Sequence, residues 1–378
     1  QKKTMKKNIF CLLLAWVCAI TSLSALDISR LPRQISSGPQ GRHHVQGIAY
    51  DEKNDCIYMS FTTTLIKVDL QGRVLGSVQG LTGHLGCMAL NPDDGRLYAS
   101  LEYKHDGIGK GIGTQANDKA NGFYVAIFDV DRITRPNMDA AEVMTTVYIR
   151  EAATDYEAKV TNQGKEVDHR HGCSGIDGLA IAPKWGKKGG RQMLYTSYGV
   201  YGDNNRTDND YQVILCYDIS KWKKYEQPLS SKNLHSSGPE KPNRKYFVRT
   251  GNTTYGIQNL AYDKYSGHML AAVYPGKKAE WPNYNLFVID GTQKPKKSNL
   301  HGFDHSTKGW TLSLLPQGEH DAKTDTWGFR FPYGSTGICS LGDGYFYVSH
   351  PGKDAQTGQQ CTTLYLYKWN GGTWSLVE

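Results

Sequence analysis

The chain has 378 residues, a formal net charge of +8 and 39% hydrophobic residues. Four of its lysines lie within the first seven residues, so an excess of about +4 remains on the rest of the chain, without a long basic block. This balance does not suggest nucleic acid as a partner, whereas an acidic substrate is compatible with it.

The N-terminal segment has the pattern of a secretory signal peptide. After Met5 come two lysines, an apolar run over 9–20 and small residues, which is too short a run for a spanning helix. We predict a signal peptide over 1–25, with extra residues before Met5, and a secreted or periplasmic protein. Cys18 follows bulky residues, so a lipid anchor is not expected.

The remaining six cysteines include no CxxC pair, which disfavours a zinc knuckle. In an exported protein they are compatible with disulfides or with buried thiols. They are Cys56, Cys87, Cys173, Cys216, Cys339 and Cys361.

Five copies of one strand pattern follow along the chain. Each opens with a short apolar strand that carries a small residue: VQGIAYD, LGCMALNP, IDGLAIAP, IQNLAYD and TGICSLGD. A tight polar turn leads to a second strand rich in aromatic residues, then to a third that usually ends at an acid and to an outermost fourth. The predicted fourth strands are RVLGSV, EVMTTVYI, KYFVRT, GWTLSLL and TWSLVE.

Four strands per unit without helical periodicity predict an all-β, single-domain β-propeller of five four-stranded blades over 43–378. A sixth blade would have to come from the N-terminal segment 26–42. That segment is too short for four strands, but it could supply one strand or latch the ring.

The GIAYD, LYTS and VD elements of these repeats resemble the broad class of propellers that includes NHL and SMP-30-like proteins. The resemblance covers the repeat pattern along most of the chain after the signal segment. It is a resemblance of architecture, and it implies no particular function.

Aligning the first strands brings polar residues into two columns. One column contains Gln46, Asp177 and Gln258, and the column two residues earlier contains His44 and His84. Because side chains alternate along a strand, both columns should face the central channel, with the histidines nearer its mouth. We expect His44 and His84, from adjacent blades, to lie side by side.

The ends of the second strands should form another ring around the mouth. Which of two neighbouring columns points inward depends on a single residue of register. We select one set as facing the channel: Glu102, Tyr103, Tyr198, Tyr274 and His350.

Long insertions between strands place more candidate ligands near this face. His169 and His171 flank an arginine, which disfavours a metal site there. The segment 202–210 is rich in oxygen ligands for calcium but lacks the features of an EF-hand loop. The glycine-rich run 107–113 is interpreted as a lid, and Trp281 as a stacking surface for a sugar.

The channel offers histidine, tyrosine and amide groups but few acids, and no GxSxG motif is present. These groups suit proton abstraction beside a carboxylate, and we predict cleavage of a uronate-containing glycan by a monomeric enzyme. The predicted catalytic residues are His44, His84, Tyr198 and Glu102. The predicted substrate-binding residues are Gln46, Gln258, Tyr103, Tyr274, His350 and Trp281.

Two alternatives stay open. A divalent metal such as calcium in the channel, with Asp177 as a ligand, would make the protein a hydrolase of phosphoesters or lactones. The same face could also bind glycan or protein without catalysis, because exposed aromatic rings serve binding equally well.

Overall fold

The structure is a computed structural model that describes residues 26–114 and 120–378. The predicted signal peptide over 1–25 lies outside these ranges. Within them, no helix has the length and apolar character needed to cross a lipid bilayer.

The strands, in chain order, are β1 (Gln34–Ser36), β2 (Gly47–Asp51), β3 (Cys56–Ser60), β4 (Leu65–Asp69), β5 (Val74–Gln79), β6 (His84–Leu90), β7 (Leu97–Tyr103), β8 (Gly122–Phe128), β9 (Met138–Asp139), β10 (Met144–Tyr148), β11 (Lys159–Asn162), β12 (Lys165–Asp168), β13 (Cys173–Ala182), β14 (Met193–Val200), β15 (Tyr211–Tyr217), β16 (Arg244–Arg249), β17 (Thr253–Asp263), β18 (His268–Pro275), β19 (Leu286–Ile289), β20 (Lys296–Leu300), β21 (Thr307–Thr311), β22 (Glu319–Asp321), β23 (Thr326–Gly328), β24 (Ile338–Gly342), β25 (Tyr345–Lys353), β26 (Gln360–Trp369) and β27 (Trp374–Leu376). The α-helices are α1 (Gly107–Ile112), α2 (Ala140–Val143) and α3 (Arg150–Glu157), and short 3-10 turns occupy Ile28–Arg30, Val130–Arg132, Arg170–Gly172 and Ile219–Lys224.

Five antiparallel sheets surround a central channel, and the predicted five-bladed β-propeller is confirmed. The blades consist of β2 to β5, of β6, β7, β8 and β10, of β13 to β16, of β17 to β19, and of β24 to β27 with β1. The first strand of each blade contacts the first strands of neighbouring blades, so β2, β6, β13, β17 and β24 line the channel.

The N-terminal segment closes the ring. β1 pairs in antiparallel fashion with β26, and Ser36 lies opposite Thr363. The backbone N–H of Leu26 also donates to the Asp343 carboxylate. The last blade therefore takes a strand from the start of the described chain, which ties the two ends of the propeller together.

The fourth blade differs from the predicted four-stranded pattern. The segment GWTLSLL was expected as its outer strand, but β21 pairs with β20 and, in parallel, with the outer strand β16 of the third blade. Without β21, the outer edge of β16 would have unpaired backbone N–H and C=O groups. Trp310 of β21 also packs against the Arg244 guanidinium of β16. The end of the predicted segment returns to the fourth blade, where the Leu315 N–H donates to the Val288 carbonyl of β19 at 2.7 Å. Isolated bridges at Leu314 and Phe329 lie along the same edge of β19.

The glycine in the first strand of two blades leaves room for a serine of the second strand. A Cβ on Gly86 would lie 2.4 Å from the Ser100 hydroxyl oxygen, and one on Gly178 would lie 2.5 Å from that of Ser197. These serines come from the second strands, and the Ser197 hydroxyl donates across to the Ile257 carbonyl of the next blade. Glycine thus lets a serine hydroxyl reach between blades.

The six cysteines in the described part of the chain are unpaired thiols. Burial raises the pKa of several of them, to about 11 for Cys87 and about 12 for Cys216 and Cys339. A raised pKa keeps a thiol protonated and therefore unreactive.

Candidate functional site

The imidazole of His84 lies against two carboxylates at the channel mouth. His84 opens β6 and pairs with Glu102 on β7, and its Nδ1 is 3.6 Å from Oε1 of Glu102. The same Nδ1 is 3.9 Å from Oδ1 of Asp177, which belongs to β13 of the next blade. The cluster therefore joins two blades across the channel wall.

Glu102 is held as an anion by its surroundings. The Lys104 ammonium is 2.6 Å from Oε1, and the backbone N–H of Ile176 donates to Oε2 at 3.1 Å. Burial opposes ionisation of Glu102, but the charges of Lys104 and His84 outweigh it and lower the pKa of the carboxyl. Both oxygens are engaged and the side chain is 2% exposed, so Glu102 serves as a fixed negative charge beside His84.

Lys104 completes this buried ion pair. Its Nζ also donates to the Ser174 carbonyl at 2.7 Å, and its side chain is 5% exposed. Burial opposes the charge of the ammonium, but the combined attraction of Glu102, Asp177 and Asp106 outweighs it and raises the pKa of Lys104. The lysine therefore stays charged and fixes the Glu102 carboxylate in place.

Asp177 has the opposite tendency. Burial, and after it the negative charge of Glu102, raise the pKa of Asp177 to about 6. Gln258 donates to its Oδ2 at 3.1 Å. Two neighbouring carboxyls with pKa values pushed apart are typical of sites that use one group as a permanent anion and the other for proton exchange.

A β-bulge sets the direction of Asp177. The pairing of β13 with β14 shifts between Ile176 and Leu179, so two residues lie opposite one. β6 and β17 shift at the equivalent positions. Bulges beside functional sites commonly re-aim a side chain, and here they lie at the polar column of the first strands.

His44 and Gln46 lie in the same mouth, as the aligned first strands predicted. The Gln46 side-chain nitrogen is 3.3 Å from Nε2 of His44 and donates to the Thr62 hydroxyl at 3.1 Å. Loss of solvent around the His44 ring in the concave mouth, followed by the charge of His84, lowers the pKa of His44. The two histidines are therefore in electrostatic contact.

An aromatic wall borders the mouth. The rings of Tyr255 and Tyr274 meet edge to face at 6.4 Å, and Tyr333 stacks on His350 with centroids 3.5 Å apart. Tyr255 adopts a positive φ of 69°, an uncommon conformation for a non-glycine residue that is often found at functional sites. A pocket of about 410 Å³ lies here, lined by His44, Tyr274, Pro332, Tyr333, Ser335, Thr336, Pro351 and Gln360.

Three predicted site residues lie elsewhere. The Tyr198 ring is fully buried, and its hydroxyl donates to Asp155 at 2.9 Å inside the blade. The Tyr103 hydroxyl pairs with Thr82, and the ring packs between blades. Trp281 is 7% exposed beneath the Arg249 guanidinium, so it offers little surface to a sugar.

A one-residue error in the register of the second strands explains why Tyr198 and Tyr103 were wrongly expected to face the channel. The inward column of the second strands consists of Thr62, Glu102, Gly199 and Tyr274. Thr62 contacts Gln46, Glu102 contacts His84, and a Cβ on Gly199 would lie 3.0 Å from Oδ2 of Asp177. The predicted set mixed this column with its neighbours, whose side chains point into the blade. Lys104 was missed although it lies two residues after Glu102, just past the end of β7, where the alternation of the strand would turn it to the same side.

A divalent metal was the alternative for this channel. Donor atoms of His84, Glu102 and Asp177 all lie within 4.8 Å of one another, which is a plausible ligand set. The Lys104 ammonium, however, already holds one Glu102 oxygen and an N–H holds the other. A cation would have to displace this lysine to use Glu102 as a ligand.

The other candidate ligand segments have structural partners. His169 contacts Tyr156 and Tyr201, whereas His171 packs between Phe247 and Phe303, so the two rings do not converge.

In the acidic segment 202–210, the buried Lys278 ammonium donates to Asp210, to Asn209 and to the Arg206 carbonyl. A lysine thus occupies the position that calcium would take in this loop. The glycine-rich run, expected as a lid, contains the one-turn helix α1, and Arg42 donates to its Ile112 carbonyl at 2.9 Å.

Comparison with known proteins does not assign the chain to a family. No protein family model matches the chain, and no curated protein matches it. Among solved structures, it is similar to a GH43_1 enzyme from Xanthomonas citri at 10% identity, over 91% of this chain and 94% of that chain, with a TM-score of 0.41. It is also similar to a functionally unknown protein from Desulfotomaculum acetoxidans at 12% identity, over 92% and 76% of the two chains, with a TM-score of 0.35.

A third similar structure is regucalcin, a calcium-binding protein from Agrobacterium tumefaciens, at 11% identity over 91% and 96% of the two chains, with a TM-score of 0.34. The chain itself is a β-propeller of the general class that the repeats predicted. At these levels of similarity, its function has to be argued from the channel mouth.

Proposed function

We propose that this protein is a carbohydrate-active enzyme that cleaves an acidic, uronate-containing glycan at the channel mouth, with His84 as the acid–base residue. The observation that carries the proposal is the imidazole of His84, which lies against the carboxylates of Glu102 and Asp177 in a mouth where His44 lines an aromatic pocket. We place this activity outside the cytoplasm, in keeping with the predicted signal peptide, and on a monomer.

The arrangement suits proton abstraction next to a carboxylate. Glu102 and Asp177 face Nδ1 of His84, which leaves Nε2 to exchange a proton with a ligand. A fixed anion beside one nitrogen stabilises the imidazolium that forms when the other nitrogen accepts a proton.

In eliminative cleavage, His84 would take the proton from the carbon that bears the uronate carboxylate. The electron pair forms a carbon–carbon double bond, the glycosidic C–O bond breaks, and the leaving oxygen takes a proton. Tyr274 is the donor we favour in place of Tyr198, because Tyr274 lines the pocket whereas the Tyr198 hydroxyl is held by Asp155 inside the blade. Burial raises the pKa of Tyr274 and keeps its phenol protonated. Arg42, exposed at the mouth with its Nε 2.8 Å from the His43 ring, has donors left for the substrate carboxylate.

Sugar rings would stack on the exposed aromatic side chains. Tyr255 is 41% exposed and Tyr333 is 37% exposed, so both present a face to solvent at the mouth. Aromatic rings with few polar groups around them are the usual lining of ligand pockets.

The test is a panel of uronate-containing and neutral polysaccharides, with product formation followed by the ultraviolet absorbance of the new unsaturated uronate. We expect turnover of uronate-containing chains, and a loss of about 10²- to 10⁴-fold in rate for His84→Ala with binding retained. Gln192→Ala, which changes the residue just before β14 and away from the mouth, is the matched control and should keep full activity. An unchanged rate in His84→Ala would contradict the proposal, and binding without turnover by the unmodified protein would support a non-catalytic module.

A second candidate is a metal-dependent hydrolase of phosphoesters or lactones, favoured by the three converging donors His84, Glu102 and Asp177. It requires that a divalent cation restore activity after chelation. Elimination at His84 requires that a chelator leave the rate unchanged.

A further inference from the structure

A second surface of the propeller is strongly basic. It lies on the third blade, at the end opposite the mouth, where the loop from β13 to β14 and the 3-10 turn after β15 emerge. We define the basic surface as the lysines and arginines of 184–191, 221–224 and 294–297, together with Arg244 and Lys308. All of these side chains are exposed.

The three segments are joined into one surface. The N–H of Gly186 donates to the Gly291 carbonyl at 2.9 Å, and a Cβ on Gly186 would lie 2.7 Å from the Lys294 side chain. Arg191 forms an ion pair of 2.6 Å with Asp218, which caps the 3-10 turn Ile219–Lys224.

The outer hairpin continues the same surface. Arg244 lies over the Trp310 ring at 4.8 Å, and Trp310 is paired with Lys297 across the hairpin of β20 and β21. The cations therefore form one neighbourhood, although they come from five separate places in the sequence.

This positive charge is largely uncompensated. Arg191 pairs with Asp218 and Lys223 pairs with Glu226. Within the described ranges, the other ten cations of the basic surface form no ion pair with a carboxylate. Like charges held together repel one another, and a polyanion relieves that repulsion while releasing its own counterions.

A trough in the basic surface, and the polar groups that line it, favour a hydroxylated polymer as the ligand. A trough of about 370 Å³ runs along the hairpin, lined by Lys297, Ser298, Asn299 and Lys308. Serine and asparagine offer donors and acceptors that match sugar hydroxyls, and the lysines match carboxylate or sulfate groups.

Membranes and nucleic acids fit this surface less well. None of the large hydrophobic side chains that the described structure exposes belongs to it, so it has no apolar residue to insert into a bilayer. Arg244 covers one face of Trp310, so that face is closed to a stacking base.

We propose that the basic surface is a second binding site for an anionic polysaccharide, separate from the channel mouth. This site would hold the protein on its polymer while the mouth acts on another part of the chain. The inference goes beyond the proposed function, since the surface would bind the polymer whether or not His84 cleaves it.

The test is equilibrium binding to a soluble polyuronate, measured for the full chain at two salt concentrations. The triple variant Lys296→Glu, Lys297→Glu, Lys308→Glu should lose about tenfold or more in affinity and show a weaker salt dependence. The matched control is Lys53→Glu, Lys165→Glu, Lys323→Glu, which changes the net charge equally at exposed lysines elsewhere and should bind like the unmodified protein. Circular dichroism of each variant confirms that it is folded.

Three results would overturn the inference: equal losses in both triple variants, unchanged binding in the first, or binding to anionic phospholipid vesicles or single-stranded DNA as tight as to the polyuronate. The proposed function is judged separately with His84→Ala, which should bind the polyuronate normally. Turnover of a short uronate oligosaccharide should stay normal in Lys296→Glu, Lys297→Glu, Lys308→Glu, because such a substrate occupies only the mouth.

Discussion

The buried pair of Lys104 and Glu102 allows a quantitative test of how the channel mouth is built. The change is Lys104→Met, which keeps the length of the side chain and removes its ammonium. Glu102 would then be a buried anion with no cation at 2.6 Å, and the Ser174 carbonyl would lose its donor. Breaking a buried ion pair by removing one partner costs about 3–5 kcal/mol of unfolding free energy.

An exposed ion pair gives the matched control. Lys264 lies 3.1 Å from Glu52, but their side chains are 61% and 65% exposed. Solvent screens such a pair, so Lys264→Met should cost less than about 1 kcal/mol. The measurement is urea-induced unfolding at neutral pH, followed by tryptophan fluorescence, for both variants and the unmodified protein.

A third variant removes both charges. Glu102→Gln with Lys104→Met should recover much of the lost stability, because no uncompensated charge stays buried. If Lys104→Met costs as little as Lys264→Met, or if the double variant is no more stable than Lys104→Met, the buried anion is not what the lysine stabilises.

Three further predictions concern pH and packing. Asp177 has a pKa raised from 3.8 to about 6 in the folded chain. The stability linked to its protonated form is therefore complete below pH 3.8 and is lost as the pH rises through 6. Asp177→Asn should gain stability relative to the unmodified protein across that window, as measured by unfolding at pH 4 and pH 7. Gly86→Ala should cost about 1–2 kcal/mol, because its Cβ would lie 2.4 Å from the Ser100 hydroxyl, and Ser100→Ala should relieve most of that cost in an unfolding assay of the double variant. Lys278→Met should lower the unfolding free energy by about 3–5 kcal/mol, since it leaves Asp210 and Asn209 without their buried cation; a loss below 1 kcal/mol would mean that the loop does not depend on it.

The fold was accessible from sequence because its information is local and repeated. Each blade repeats the same strand, turn and strand, so errors in one copy are corrected by the other four. The fourth blade shows the limit of this reasoning. GWTLSLL has the alternation of an outer strand, but which sheet edge it joins depends on a distant contact between Trp310 and Arg244.

The candidate site was accessible only in part. Columns of the first strands placed His44, Gln46, His84 and Asp177 correctly relative to one another, since residues two apart share a face. In the second strands, nothing in the sequence showed which of two neighbouring columns points into the channel. A one-residue error in register therefore selected side chains that are buried inside the blade, such as Tyr198.

Charge compensation explains why the loops resisted prediction. The acidic segment around Asp210 has the composition of a cation site, and the structure does bring a cation there: the ammonium of Lys278, from a loop of the fourth blade. A lysine also supplies the positive charge at the mouth, where Lys104 neutralises Glu102. Composition indicated that the oxygen ligands need a positive charge, but the source of that charge depends on contacts between loops.

Lys104 also constrains the chemistry of the channel. A metal-dependent site would leave its carboxylates free to coordinate, whereas here Glu102 is bound on both oxygens by protein groups. The groups left to act on a ligand are the His84 imidazole, the Asp177 carboxyl with its raised pKa, and the phenol of Tyr274. All three are acid–base groups, which is the reason for proposing acid–base cleavage in preference to metal-assisted hydrolysis at this mouth.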